Sequence, residues 1–137
     1  MTQVQTMTNQ QLNRKIAELM GYTVEPSVQN GVYRLIKGGK IQATSSVPVE
    51  LIWSYAPDYA GDPATSLEVQ TAAIAKDDEG YVRTLYTVQA RAKTGMNINP
   101  NDIKHWPNMS ISIIAILLSA SPRERAEAAY ITLSSKQ

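Results

Sequence analysis

Tyr81-Val82-Arg83-Thr84-Leu85-Tyr86-Thr87-Val88-Gln89-Ala90-Arg91-Ala92 alternates in character, and its reading sets how much of the chain is sheet. Val82, Thr84, Tyr86, Val88 and Ala90 would share one side of an extended backbone. Tyr81, Arg83, Leu85, Thr87, Gln89 and Arg91 would share the other. Successive side chains of a strand point to opposite faces, so the pattern predicts a long half-buried strand. Its second face carries two arginines and is expected to meet water or a partner.

Downstream, Thr94 to Asn108 is rich in Asn, Pro and Gly and is expected to be a loop, which holds the only histidine, His105, beside Trp106 and Pro107. Met109 to Ala120 is apolar on both sides through Ile113 to Leu118, which predicts a central strand covered on both faces. A buried helix is the alternative, and the β-branched content favours the strand. Ser121-Pro122-Arg123-Glu124 then supplies a cap, a first-position proline and a capping-box glutamate. A closing helix follows, with Ala126, Ala129, Tyr130 and Leu133 as its apolar stripe.

Upstream, Asp62 and Pro63 open a helix by the same chemistry, and Ala64, Leu67, Thr71, Ile74 and Ala75 are spaced to face a core. Three acids at a helix C-terminus oppose its dipole, so this helix is expected to stop before Asp77-Asp78-Glu79. Val32 to Ile36 reads as a strand, Lys37-Gly38-Gly39-Lys40 as a tight turn and Ile41 to Thr44 as the return strand. Val47 to Ser54 reads as further extended chain, with Pro48 at an edge or strand start. At the N-terminus Thr8 and Gln11 form a capping box, Leu12, Ile16, Leu19 and Met20 make an apolar stripe, and Gly21 supplies the stop. The predicted fold is α+β: a helix–sheet–helix layered sandwich, order α-β-β-α-β-β-α, with a mostly antiparallel sheet, in one domain over 1–137 whose residues 1–8 are flexible.

Composition narrows the function classes. A chain of 137 residues is one domain with room for a core. Lys plus Arg total 13 and Asp plus Glu 12, so a net charge of +1 gives no electrostatic case for a nucleic acid polymer or an anionic membrane. Without cysteine there are no disulfides, thiol nucleophiles or cysteine-bound metals, and a single histidine removes multi-histidine metal sites. No basic region followed by an apolar run opens the chain, and Ile111 to Leu118 is far shorter than the roughly 20 residues of a membrane span. A soluble protein of the cytoplasm is expected.

Candidate chemistry is sparse. No serine sits in a Gly-x-Ser-x-Gly elbow, and no phosphate-loop or dinucleotide glycine pattern occurs. His105 is a possible base, or a loop residue packed beside Trp106. Asp58, Asp62 and Glu68 are near in sequence and two of them are a possible acid–base pair, although Asp62 also reads as a cap and Glu68 as an exposed helix residue. Asp77-Asp78-Glu79 is a possible cation site or a solvated turn. The richest constellation is a binding one: Arg83 and Arg91 on one face, Arg123 and Arg125 in the first turn of the last helix, and Tyr22, Tyr59 and Asp62 at helix ends. Helix N-termini, arginines and a stacking tyrosine are what a small anionic nucleotide needs. The same arginines also have Glu124, Glu127 and Glu68 as surface partners, worth ~0–1 kcal/mol each.

Three segments together resemble one family. They are Leu12-Asn13-Arg14-Lys15-Ile16-Ala17-Glu18-Leu19-Met20-Gly21-Tyr22, then the stretch from Pro57-Asp58-Tyr59-Ala60-Gly61-Asp62 to Val69, then Ser121-Pro122-Arg123-Glu124 to Leu133. In this order they are similar to the phage ABA-sandwich domain, found in bacteriophages and prophages. A Leu-Asn…Ile-Ala…Met-Gly-aromatic helix leads that domain, a Pro-x-Tyr-x-x-Asp helix start follows, and an Ala-rich Ser/Thr-Pro helix closes it. The chain departs from the pattern at Ala60-Gly61, where members carry Ser-Thr, and at Tyr22, where many carry tryptophan. The resemblance implies a layered fold and a phage origin, and no established activity.

The expected function is therefore a non-catalytic, phage-encoded accessory protein in the host cytoplasm. Its expected partner is a host protein or a small anionic nucleotide captured as counter-defence, the latter through Tyr22, Tyr59, Asp62, Arg83, Arg91, Arg123 and Arg125. No cofactor and no metal are expected. The alternatives are a small hydrolase using Asp58 and Asp62 or His105, and a self-assembling structural protein. A homodimer or higher homo-oligomer is expected because half-polar strands leave edges open to pairing.

Overall fold

Thr8 opens the first long helix through local bonds alone. Its hydroxyl accepts from the Gln11 N–H while the Gln11 side chain accepts from the Thr8 N–H. In this computed structural model, which describes residues 2–27, 31–95 and 111–135, that helix is α2 (Asn9–Leu19), preceded by a short turn α1 (Thr2–Thr6). Residues 1–8, read from the sequence as flexible, include α1, which puts Val4 into the core at 3% exposure. Leu12, Ile16 and Ala17 are buried on α2, and Gly21 ends it with φ +97.

Three strands follow as an antiparallel meander in the order β1 (Tyr22–Pro26), β2 (Tyr33–Lys37), β3 (Lys40–Ser45). The β2–β3 turn is Gly38-Gly39, both at positive φ, which a two-residue hairpin whose twist matches its strands requires. Val24, Leu35 and Ala43 lie in one row across the sheet and pack on the core. Thr23, Glu25, Ile41 and Thr44 lie on the opposite face and are exposed. The sheet therefore has one covered face, because its other face is mostly polar; Arg34 and Glu25, paired across strands, stand there at 3.9 Å.

Beyond the sheet the chain is helical. Val47 to Ser54, expected to be extended, contains α3 (Val49–Ile52) running into a 3-10 turn (Trp53–Tyr55), with Pro48 ahead of the first turn, where it is tolerated. Then come α4 (Pro63–Lys76), α5 (Asp78–Thr94), α6 (Ile111–Leu118) and α7 (Pro122–Ser134). The α+β class holds, and the described sheet is antiparallel. The order α-β-β-α-β-β-α is corrected at its second strand pair, since the two stretches expected as strands are α5 and α6.

The cause of the first correction lies just outside Tyr81–Ala92. Asp77 caps α5, its side chain accepting from the Gly80 N–H, and Asp78 and Glu79 occupy the first turn. Arg91 and Lys93 lie in the last turn, and Gly95 closes the helix at φ +72. Each feature favours the helix dipole or satisfies a terminal backbone group. The buried residues Tyr81, Thr84, Leu85 and Val88 follow helical spacing, so the alternation was incidental. Ile111–Leu118 is a helix packed against α5, but not the buried helix of the alternative, since Ile114 and Leu118 are 42% and 79% exposed.

Helix α7 is the hub of the helical part, packing against α4, α5, α2 and α1. Ala126, Ala128, Ala129 and Thr132 are buried there, small enough for neighbouring backbones to approach. This decides the orientation of α4, which buries Ser66, Val69 and Ala73. The face predicted to point inward is the exposed one, with Leu67 at 47% and Ile74 at 41% exposure. The sheet joins the helices where β1 meets α2 and where β2 and β3 meet α3. Leu12, Ile16, Leu35, Ile52 and Val69 are fully buried in the shared core, each stabilising the fold by about 1.5–3 kcal/mol relative to exposure.

Candidate functional site

Two places gather the polar side chains of the described chain. The first is the corner between α2 and the start of α4. Asn13, on α2, donates to Asp58 Oδ1 at 2.7 Å and accepts from the Ala60 N–H at 2.8 Å. Asp58 Oδ1 also accepts from the Gly61 N–H at 3.0 Å. A Cβ on Gly61 would lie 2.4 Å from Asp58 Oδ2, so the turn admits only glycine unless Asp58 moves. Asp62 then caps α4, accepting from the Thr65 N–H and hydroxyl, and the two bonds, the hydroxyl first, hold its carboxyl below the usual range.

Tyr59 stands in the same corner at 1% exposure. Its phenol is pushed well above its usual pKa by burial first, then by Tyr22 and Glu68 nearby. The Lys37 ammonium lies 4.9 Å from the centre of the Tyr22 ring. Tyr22, Tyr59 and Asp62 are thus the three predicted site residues that this corner brings together.

The second place is α7. Glu127, with its side chain 7% exposed, accepts from Arg91 Nη2 at 2.5 Å and from Arg123 Nε at 2.7 Å. The rest of the Arg123 guanidinium donates to Asn9 Oδ1, Val4 O and Met7 O, at 2.9, 3.0 and 2.8 Å. One arginine therefore ties α7 to the α1–α2 junction, while Arg91 ties α5 to the same carboxylate. Arg125 donates instead to Ser66 Oγ on α4 and to the Ala120 carbonyl. Tyr81 donates to Gln70 at 2.8 Å, and burial raises its phenol pKa despite the opposing pull of Arg125.

The predicted binding residues thus fall into separate groups. Tyr22, Tyr59 and Asp62 share the α2–α4 corner; Arg91 and Arg123 converge on Glu127; Arg125 spans α7 and α4. Arg83 pairs with Glu79 at 3.1 Å one turn back along α5. Glu127 is the expected ion-pair partner, yet it is buried, so the pairs are ties within the fold. Glu124 completes the α7 capping box with Ser121. Asp58 and Asp62, the possible acid–base pair, are engaged with Asn13, Gly61 and Thr65. His105 lies outside the described residues. Asp77 and Asp78 accept from the N–H groups of Gly80 and Glu79, which assigns them to the start of α5.

Sequence reasoning missed Asn13 and Ser66 as polar anchors. A signal for Asn13 existed, since a short amide inside a helix does best when it bonds something beyond the helix. None existed for Ser66, whose hydroxyl is explained by the Arg125 that packing brings to it. Among the described residues no group of three or more His, Asp or Glu side chains could hold a metal ion, and no helix is long and apolar enough to cross a membrane. Compared with family models, curated proteins and solved structures, the chain finds no match.

Proposed function

We propose that this chain is a non-catalytic, phage-encoded accessory protein that binds a host protein through its surface. The phage part rests on the resemblance of three segments, and the packing of α2 and α4 against α7 supports treating them as one unit. The observation that favours a protein partner over a small anionic nucleotide is the fate of the arginines. Arg91 and Arg123 are spent on Glu127, and Arg125 on Ser66 and a carbonyl, so a phosphate there would have to break bonds already made. Large apolar side chains of α4 meanwhile stand in solvent, Leu67 at 47% and Ile74 at 41% exposure. Two such side chains two turns apart on one helix face favour recognition of another macromolecule. The test is expression of the tagged chain in a bacterial host, followed by reconstitution of any enriched protein with the purified chain. A complex of fixed stoichiometry in sedimentation is expected; failure of every enriched protein to form one overturns the reading.

A further inference from the structure

We infer that the solvent face of α4 is a docking surface for a protein segment that is itself amphipathic and basic; this deepens the host-protein reading and rests on it. Ala64, Leu67, Thr71, Ile74 and Ala75 recur at helical spacing and all are exposed, a stripe that in most helices faces a core. The core side of α4 is already taken by Ser66, Val69 and Ala73 against α7. The helix therefore carries two nonpolar faces, and among the described residues no element covers the second.

Charge decides the chemistry of the occupant. From Asp58 to Glu79 the chain has six acids, Asp58, Asp62, Glu68, Asp77, Asp78 and Glu79, and one base, Lys76. The Lys76 ammonium is turned to α7, donating to the carbonyls of Leu133 and Ser135 at 2.7 and 2.8 Å. Asp62 precedes the stripe, Glu68 lies beside Leu67, and Asp78 and Glu79 follow its end; all four are exposed, with Glu79 sharing its charge with Arg83. The chain as a whole is near neutral, so this acidic border is local. An apolar strip between acids is complementary to a helix with an apolar face and lysines or arginines around it.

The test titrates the full-length chain with a labelled amphipathic helical peptide carrying leucines on one face and lysines elsewhere, and with the same peptide bearing glutamates in place of the lysines. The lysine peptide is expected to bind at least about tenfold more tightly than the glutamate peptide and to weaken with salt. Leu67→Asp and Ile74→Asp should each weaken it by about tenfold and Glu68→Lys by about threefold, with Leu51→Asp neutral. All four positions are exposed, and circular dichroism melts verify that each variant folds. Absence of lysine-peptide binding, equal binding of both peptides, or indifference to Leu67→Asp overturns the surface. So does self-association that Leu67→Asp abolishes, which would make a second copy the occupant. A reconstituted host complex indifferent to Leu67→Asp would overturn this surface and leave the host-protein reading standing.

Discussion

Asn13 Nδ2 donates to Asp58 Oδ1 at 2.7 Å across 45 positions of sequence. The bond joins the Leu12–Tyr22 segment to the Pro57–Val69 segment. With the Ala60 N–H held by the same amide, the Pro57–Asp62 turn is fixed against α2 before α4 begins.

Asn13→Ala should cost about 1 kcal/mol, since it leaves the part-buried Ala60 N–H short of a partner while water replaces the amide at the exposed Asp58 carboxylate. Urea unfolding measures it as a lower midpoint with an unchanged slope.

Gly61→Ala should cost about 1 kcal/mol, because the Asp58 carboxylate clears the new methyl only by giving up its bonds to Asn13 and to the backbone N–H of residue 61. Asp58→Ser removes the obstructing oxygen, so in that background the alanine should be better tolerated. A double-mutant cycle reads the coupling between the two positions.

Glu127→Ala should destabilise by about 2–3 kcal/mol. That is below the ~3–5 kcal/mol of a fully buried pair, because Arg91 and Arg123 keep 22% and 24% of their side chains exposed. The loss should also loosen the α1–α2 junction, which hangs on Arg123. Faster amide exchange over Val4–Asn9, ahead of global unfolding, checks it.

Alkaline pH should destabilise the fold through two phenols. Tyr59 and Tyr81 both have folded pKa values raised, chiefly by burial, above the unfolded value near 10. Above that pH the unfolded chain releases protons that the folded chain retains. The stabilisation is therefore complete below about pH 10 and is lost as pH rises toward the folded values. Tyr59→Phe and Tyr81→Phe should each flatten the decline, read as denaturation midpoints between pH 8 and pH 11, a window set by the phenol value of about 10.

What was legible in the sequence was local. The capping residues Thr8, Asp62 and Ser121 and the Gly38-Gly39 turn act through bonds to backbone within three residues, so their structures followed from the residues themselves. Asp77-Asp78-Glu79 reads in the sequence as an end to α4, a solvated turn or a cation site, although the same acids favour the start of α5; with that start unseen, Tyr81–Ala92 looks extended. The face of α4 was illegible for another reason. Both of its faces are nonpolar, and the choice belongs to the alanines of α7, about 60 positions on. The arginines were recognised, but their use depends on α7 reaching α1, α2, α4 and α5 at once, which no local pattern states.

The central claim is that these arginines hold the fold together and the chain recognises its target by surface. Thermal melting of the full-length chain with cyclic and ADP-ribose-derived nucleotides at millimolar concentration tests it most directly. A ligand at about 100 times its Kd would add ~2.7 kcal/mol, several degrees in a domain of this size. The melting point is expected to stay unchanged with every nucleotide; a rise with any of them that Arg91→Ala or Arg123→Ala removes would contradict the account.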